Sequence, residues 1–203
     1  MKQSWPVQLH AIFARQSELM AKYKDIEKLP AAPLALHTTH HQKIMKDFAW
    51  RVTEELTEAF EVWSNHPDRK RAMERGLEEM ADALHFLVEM LIFAGVTPEQ
   101  VLQVDNDFLP MPDPLDCRND HFKFVAGFWN CTYWLGLTMH ELKNKPWKQT
   151  PVPTNEKACR NLLIMSLRAQ LDLWATLGQT ADDVHMYYFK KAAVNTTRQA
   201  EGY

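Results

Sequence analysis

Two short segments place carboxylates at one helical spacing. ELTE, Glu55 to Glu58, and EMAD, Glu79 to Asp82, each set two acids three residues apart, so that on a helix both project from one side. Around the first pair, Val52, Leu56, Ala59, Phe60 and Trp63 form an apolar stripe. Glu54 and Glu61 fall roughly opposite that stripe and are expected to be solvated, whereas Glu55 and Glu58 flank it. Around the second pair, Leu77, Met80, Ala81, Leu84, Val88, Leu91 and Ile92 give one apolar face while Phe86, Met90 and Phe93 cover the other side. Glu79 and Asp82 share the side of Phe86 and Phe93, in a helix that is apolar nearly all round. One such pair alone reads as surface charge; two pairs on neighbouring antiparallel helices can converge. Carboxylates about 4 Å apart repel by about 4 kcal/mol at an effective dielectric of 20, and partial burial adds to that cost, so a converged set needs a counter-cation. Oxygen donors without a nearby cysteine suit Mg²⁺, with Mn²⁺ as a substitute, better than Zn²⁺.

The C-terminal segment supplies the opposite charge. Tyr188, Lys191, Asn195 and Arg198 stand at i, i+3, i+7 and i+10, within about an 80° arc of one helix face. A phenol, a lysine, an amide and an arginine in one column make a binding surface for a polyanion, arginine being suited to bidentate contact with phosphate; the alternative is a solvated terminal face. HTTHH, His37 to His41, is a rival zinc site, but no acid or cysteine at ligand spacing completes it, and it reads better as a polar loop.

These residues need helices to hold them, and the punctuation for helices is present. A first segment runs from about Val7 to Glu27, and Pro30 and Pro33 open the loop that carries the histidines. A second helix carries ELTE. The third spans about Lys70 to Ala94, stops at Gly95, and is followed by Thr97-Pro98-Glu99, a cap with proline in the first turn. DFLPMPDPLD, Asp107 to Asp116, has three prolines and separates the first half from a helical region beginning near Cys117. Lys143 to Thr154 is a further break, with Thr154 placed to cap the next helix, and Thr180 with Asp183 forms a capping-box arrangement for the last.

Composition agrees with an all-α chain of one domain over residues 1–203, with a candidate mobile sub-region at about 105–178. Six glycines are few, seven tryptophans, ten phenylalanines and ten methionines are many, and 46% of the 203 residues are hydrophobic, enough for one sizeable core. A net charge of −3 and a basic cluster interrupted by acids, Asp68 to Arg75, argue against nucleic acid and anionic membrane as partners. Three cysteines without a CxxC fit a reducing cytoplasm, and the most apolar run, Leu87 to Val96, is too short to span a bilayer and contains Glu89.

ELTE followed by EMAD resembles the ExxE and ExxD motifs of the all-α nucleoside triphosphate pyrophosphatases, the MazG-like and dimeric dUTPase group. EEMADALHFLVEM, Glu78 to Met90, is similar to the second acidic motif of the dimeric dUTPases and the phage dCTP/dUTP pyrophosphatases. KAAVNTTRQAEGY, ending at Gly202-Tyr203, is similar to their last motif and to its shorter phage-type form. The resemblance implies a multi-helix bundle, a homodimer, and Mg²⁺-dependent hydrolysis of a deoxynucleoside triphosphate to the monophosphate and pyrophosphate, with dUTP first and dCTP, or both, second. It implies Glu55, Glu58, Glu79 and Asp82 as metal ligands, Glu55 or Glu58 as general base, and Lys191, Asn195, Arg198 and Tyr203 on phosphate or sugar. LHAIFARQSEL, Leu9 to Leu19, resembles the first family helix and implies that Gln16 faces the nucleotide; Trp63 and Phe86 are candidates to lie against the base. His85, off the acidic face, is expected to make a structural hydrogen bond. A non-catalytic helical interaction module is the rival from another class, and it leaves the acids inside an apolar helix unexplained.

Overall fold

The computed structural model describes residues 5–103, 120–145 and 147–200, and among them the regular elements are seven α-helices. In chain order these are α1 (Trp5–Glu27), α2 (Thr39–Asn65), α3 (Arg69–Phe93), α4 (Pro98–Gln103), α5 (Asp120–Glu141), α6 (Glu156–Thr176) and α7 (Ala181–Ala200). The proline-rich segment 107–116 and the expected helix start near Cys117 lie outside the described residues.

Why α3 is apolar all round follows from its neighbours. It packs along α2 and also meets α1, α6 and α7, so a helix with polar flanks would bury unpaired groups there. Its start is fixed by Asp68, whose carboxylate accepts from the amides of Lys70 (2.9 Å) and Arg71 (3.2 Å). Its end is fixed by Gly95 at φ +73°, a left-handed position that favours glycine, with Gly95 N donating to Ile92 O. Only three residues, 66–68, join α2 to α3, so the two form a hairpin that lays ELTE beside EMAD. Near its base the hairpin closes tightly: a Cβ on Gly76 would stand 2.2 Å from Trp63 Cε2, so the indole occupies the space a larger residue would need.

A second hairpin, α5 and α6, packs against α2 and α3. Gly127 permits its close approach, since a Cβ there would stand 2.8 Å from Leu173 Cδ1. The α6 cap is one residue later than the sequence indicated: Asn155 Oδ1 accepts from Ala158 N at 3.1 Å, while Thr154 Oγ1 accepts from buried Gln42. Both residues can cap, and the Gln42 contact decides which one does. The capping box of α7 forms as expected, with Thr180 N donating to Asp183 Oδ2 (2.8 Å) and Asp183 N to Thr180 Oγ1 (3.3 Å). HTTHH is the N-cap of α2, where Thr38 Oγ1 accepts from His41 N at 3.2 Å. No helix among the described residues is long and apolar enough to cross a membrane. Cys131 and Cys159 are buried free thiols, and burial pushes Cys159 up to about 12.

Candidate active site

The α2–α3 hairpin brings the acids together. Glu55 and Glu58 from α2 and Glu79 from α3 each present an oxygen, and these oxygens lie within 4.8 Å of one another. Among the described residues this is where metal-ligand side chains converge; the histidines of HTTHH do not form such a group. Glu54 and Glu61, placed on the far side by the helical phase, are exposed. Asp82 stands beside the three acids in a different relation, its Oδ2 2.5 Å from Lys191 Nζ. The same ammonium lies 3.8 Å from Glu79 Oε2.

Three of these acids, Glu55, Glu79 and Asp82, titrate above the usual carboxylate range. Burial is the largest cause pushing Glu55 up to about 7, followed by the charges of Asp82, Glu58 and Glu79, with Lys191 opposing. Burial likewise raises Glu79, with Lys191 pulling it down, and raises Asp82 against its hydrogen bond to Lys191 and the field of Arg198. Carboxylates at these separations repel by about 3 to 4 kcal/mol per pair at an effective dielectric of 20, so a divalent cation fits the donor set by charge and by ligand hardness.

α7 supplies the basic side of the site from a helix that enters the core at one end. Lys191 and Asn195 are half-buried and Arg198 is exposed at the rim. Tyr188 does not belong to that exposed column. It is fully buried and stacks on His85 with ring centroids 3.8 Å apart. Tyr203 lies outside the described residues.

Gln16, on α1, belongs to a buried network at the junction of α1, α3 and α7. Its Nε2 donates to Glu89 Oε2 (3.0 Å), and its Oε1 accepts from the Tyr188 hydroxyl (2.5 Å) and lies 2.9 Å from His85 Nδ1. His85 makes the structural contacts expected of it, its Nε2 lying 3.1 Å from the Tyr188 carbonyl. Burial holds its pKa down at about 4 against that carbonyl. Phe86 is half-buried, edge-on to Phe48, with the Arg51 guanidinium 5.5 Å from its ring centre. Trp63 is packed over Gly76 and edge-on to Phe124, with ring centroids 4.3 Å apart. The hairpin and α7 thus bring together Glu55, Glu58, Glu79, Asp82 and Lys191, with Arg198 in their field, while Gln16 is held apart from them in its hydrogen-bonded network and Trp63 is engaged in packing. The sequence reading did not single out Arg51, whose guanidinium lies 4.6 Å from the Phe48 ring centre and 5.5 Å from that of Phe86; its place one turn before Glu55 was the available signal.

No curated protein and no solved structure matches the chain. A family model described as dUTPase matches residues 8–203, which takes in both acidic motifs and the basic helix. On that match, the chain belongs to the dUTPase family.

Proposed function

We propose that the chain is a Mg²⁺-dependent dUTP pyrophosphatase of the all-α, MazG-related type, converting dUTP and water to dUMP and pyrophosphate. The observation that carries this reading is the convergence of Glu55, Glu58 and Glu79 from both acidic motifs, with Lys191 closing on the fourth acid. Glu55, Glu58, Glu79 and Asp82 would hold Mg²⁺, or Mn²⁺ in its place, which when bound neutralises phosphate charge and acidifies water.

The chain's own groups do the rest. One of the two first-motif carboxylates, half-buried Glu55 or exposed Glu58, orients the attacking water and accepts its proton. Lys191 and Arg198 neutralise phosphate charge as water bonds to the β-phosphorus and the bond from that phosphorus to the bridging oxygen breaks, dUMP leaving with the electron pair on its α-phosphate and the attacked unit departing as pyrophosphate. Asn195 and Tyr203 position phosphate or sugar, Phe86 lies against the base, and Gln16 and Trp63 shape the pocket around it. The resemblance to the dimeric dUTPases supports attack at the β-phosphorus and a homodimer, the cysteine usage supports a cytoplasmic location, and the charge pattern supports no nucleic acid or membrane partner. A second reading, hydrolysis of dCTP at the same site, rests on the resemblance of the second acidic motif to that of the phage dCTP/dUTP pyrophosphatases.

The test is pyrophosphate release from dUTP by the wild-type chain and by Asp82→Asn. We expect turnover by the first, and loss of about a thousandfold or more in the second at unchanged or raised melting temperature. No turnover of any deoxynucleotide by a folded wild type would favour the interaction module instead.

A further inference from the structure

Away from the acid cluster, a second group of polar side chains faces one recess. Gln100 and Gln103 of α4 and Lys157, Arg160, Asn161 and Ile164 of α6 line a cavity of about 310 Å³. The α6 residues stand at i, i+3, i+4 and i+7, so one face of that helix forms a wall; Gln100 and Gln103, three apart, form the other. Small-molecule cavities are lined mainly by hydrophobic side chains, whereas among the described residues of this one Ile164 alone is apolar. Two cations and three amides, with no carboxylate among the described residues of the wall, suit a polar ligand of negative charge.

The two cations are held differently. Arg160 is fixed in place, its Nε donating to the Ala94 carbonyl at 2.7 Å and its Nη2 to Glu156 Oε2 at 2.7 Å, which leaves the other N–H groups of the planar fork for a ligand. Lys157 is exposed, and its ammonium can close on a ligand from the solvent side. Arg168 Nη2 donates to Val101 O at 3.4 Å and so ties the two walls together. Ala94 follows Asp82 by twelve residues, about 18 Å along α3, and the recess shares none of its described lining with the acid cluster.

The donor set favours phosphate over carboxylate. A carboxylate offers two oxygens, while a phosphate monoester offers three and carries about −1.5 to −2 charges at pH 7, a better match to a guanidinium, an ammonium and their neighbouring amides. We propose that the recess between α4 and α6 is a second anion site, independent of metal, which takes a phosphate group, free or carried on a small molecule, between Arg160 and Lys157. The proposal stands whether or not the acid cluster hydrolyses dUTP.

The experiment is calorimetric titration of the full chain in excess EDTA, which keeps divalent metal from the acid cluster. The probes are inorganic phosphate, dUMP, deoxyuridine and acetate, and wild type is compared with Lys157→Glu and with Lys191→Met. We expect saturable binding of inorganic phosphate, of dUMP, or of both. Lys157→Glu should weaken that binding by about tenfold or more, and Lys191→Met should leave it within about threefold. Inorganic phosphate bound as well as dUMP or better identifies free phosphate as the ligand; tighter binding of dUMP identifies a phosphate ester. Absence of saturable binding of both overturns the proposal, as does equal binding of deoxyuridine or acetate. A loss in Lys157→Glu no larger than that in Lys191→Met also overturns it. Should Lys157→Glu fail to fold, the side-chain amide resonances of Gln100, Gln103 and Asn161 in the wild type decide, and their failure to shift on titration with phosphate or dUMP sinks the site.

Discussion

Lys191 is the residue on which the acid cluster turns. It lies 2.5 Å from Asp82 and 3.8 Å from Glu79, giving the cluster a positive charge before any substrate is bound. Replacing it with Met should lower kcat/KM for dUTP by about a hundredfold or more, read from steady-state kinetics, because charge on the leaving phosphates loses a partner. The same change should lower the melting temperature of metal-free protein, since Asp82 keeps its burial and loses its counter-charge. Glu55 behaves in the opposite sense. Its folded-state carboxyl is raised from 4.5 to about 7, so its contribution to stability is fully present below about pH 4.5 and is lost as pH rises through about 7. Because His85 acts in the opposite sense below about pH 6.5, the loss is read in excess chelator as the difference in melting temperature between wild type and Glu55→Gln, which should move against the wild type between about pH 4.5 and 7. Glu55→Gln should also abolish stabilisation by added Mg²⁺. A difference that does not change with pH over this range would contradict the crowding of these carboxylates.

At the scale of elements, the α2–α3 hairpin and α7 divide the work, the first setting the acids and the second closing on them. The hairpin depends on the close approach at Gly76. Gly76→Ala would press a methyl into the Trp63 indole, and overpacking of this kind costs about 1 to 3 kcal/mol. We expect a melting temperature lower by several degrees, measured by calorimetry, with the acids themselves untouched. The junction of α1, α3 and α7 has its own pH signature. His85 is held neutral by burial, with a pKa lowered from 6.5 to about 4, so its contribution is present above about pH 6.5 and lost as pH falls toward 4. Read as the difference between wild type and His85→Asn, the acid destabilisation due to His85 across that window should approach about 3 kcal/mol. Much of this layer was legible in the sequence: the phase separated Glu55 and Glu58 from Glu54 and Glu61, and the all-round apolarity of α3 announced a central helix. What was not legible is what depends on contacts between distant residues. Gln42 reaches Thr154 across 112 positions and shifts the α6 cap to Asn155. Tyr188 shares an arc with Lys191 and Arg198, and phase alone cannot show that the N-terminal part of that arc enters the core. Gln16 and Glu89 stand 73 positions apart, and nothing local joins them.

At the scale of the whole molecule, the all-α bundle explains how a chain with net charge −3 gathers four acids at one place. α3 is surrounded by other helices, so its acids are partly desolvated, and among the described residues α7 sets the Lys191 ammonium against them, with Arg198 in their field. The remaining deficit is the physical argument for a metal, and the match to the dUTPase family over residues 8–203 directs that metal toward a triphosphate. These two lines meet in a single assay, pyrophosphate release from dUTP by the wild-type chain with Mg²⁺ titrated in and then removed by excess EDTA. The account requires pyrophosphate and dUMP in equal amounts, at a rate that rises with Mg²⁺ and vanishes in EDTA. Turnover that persists in EDTA, or a product other than dUMP and pyrophosphate, would contradict it.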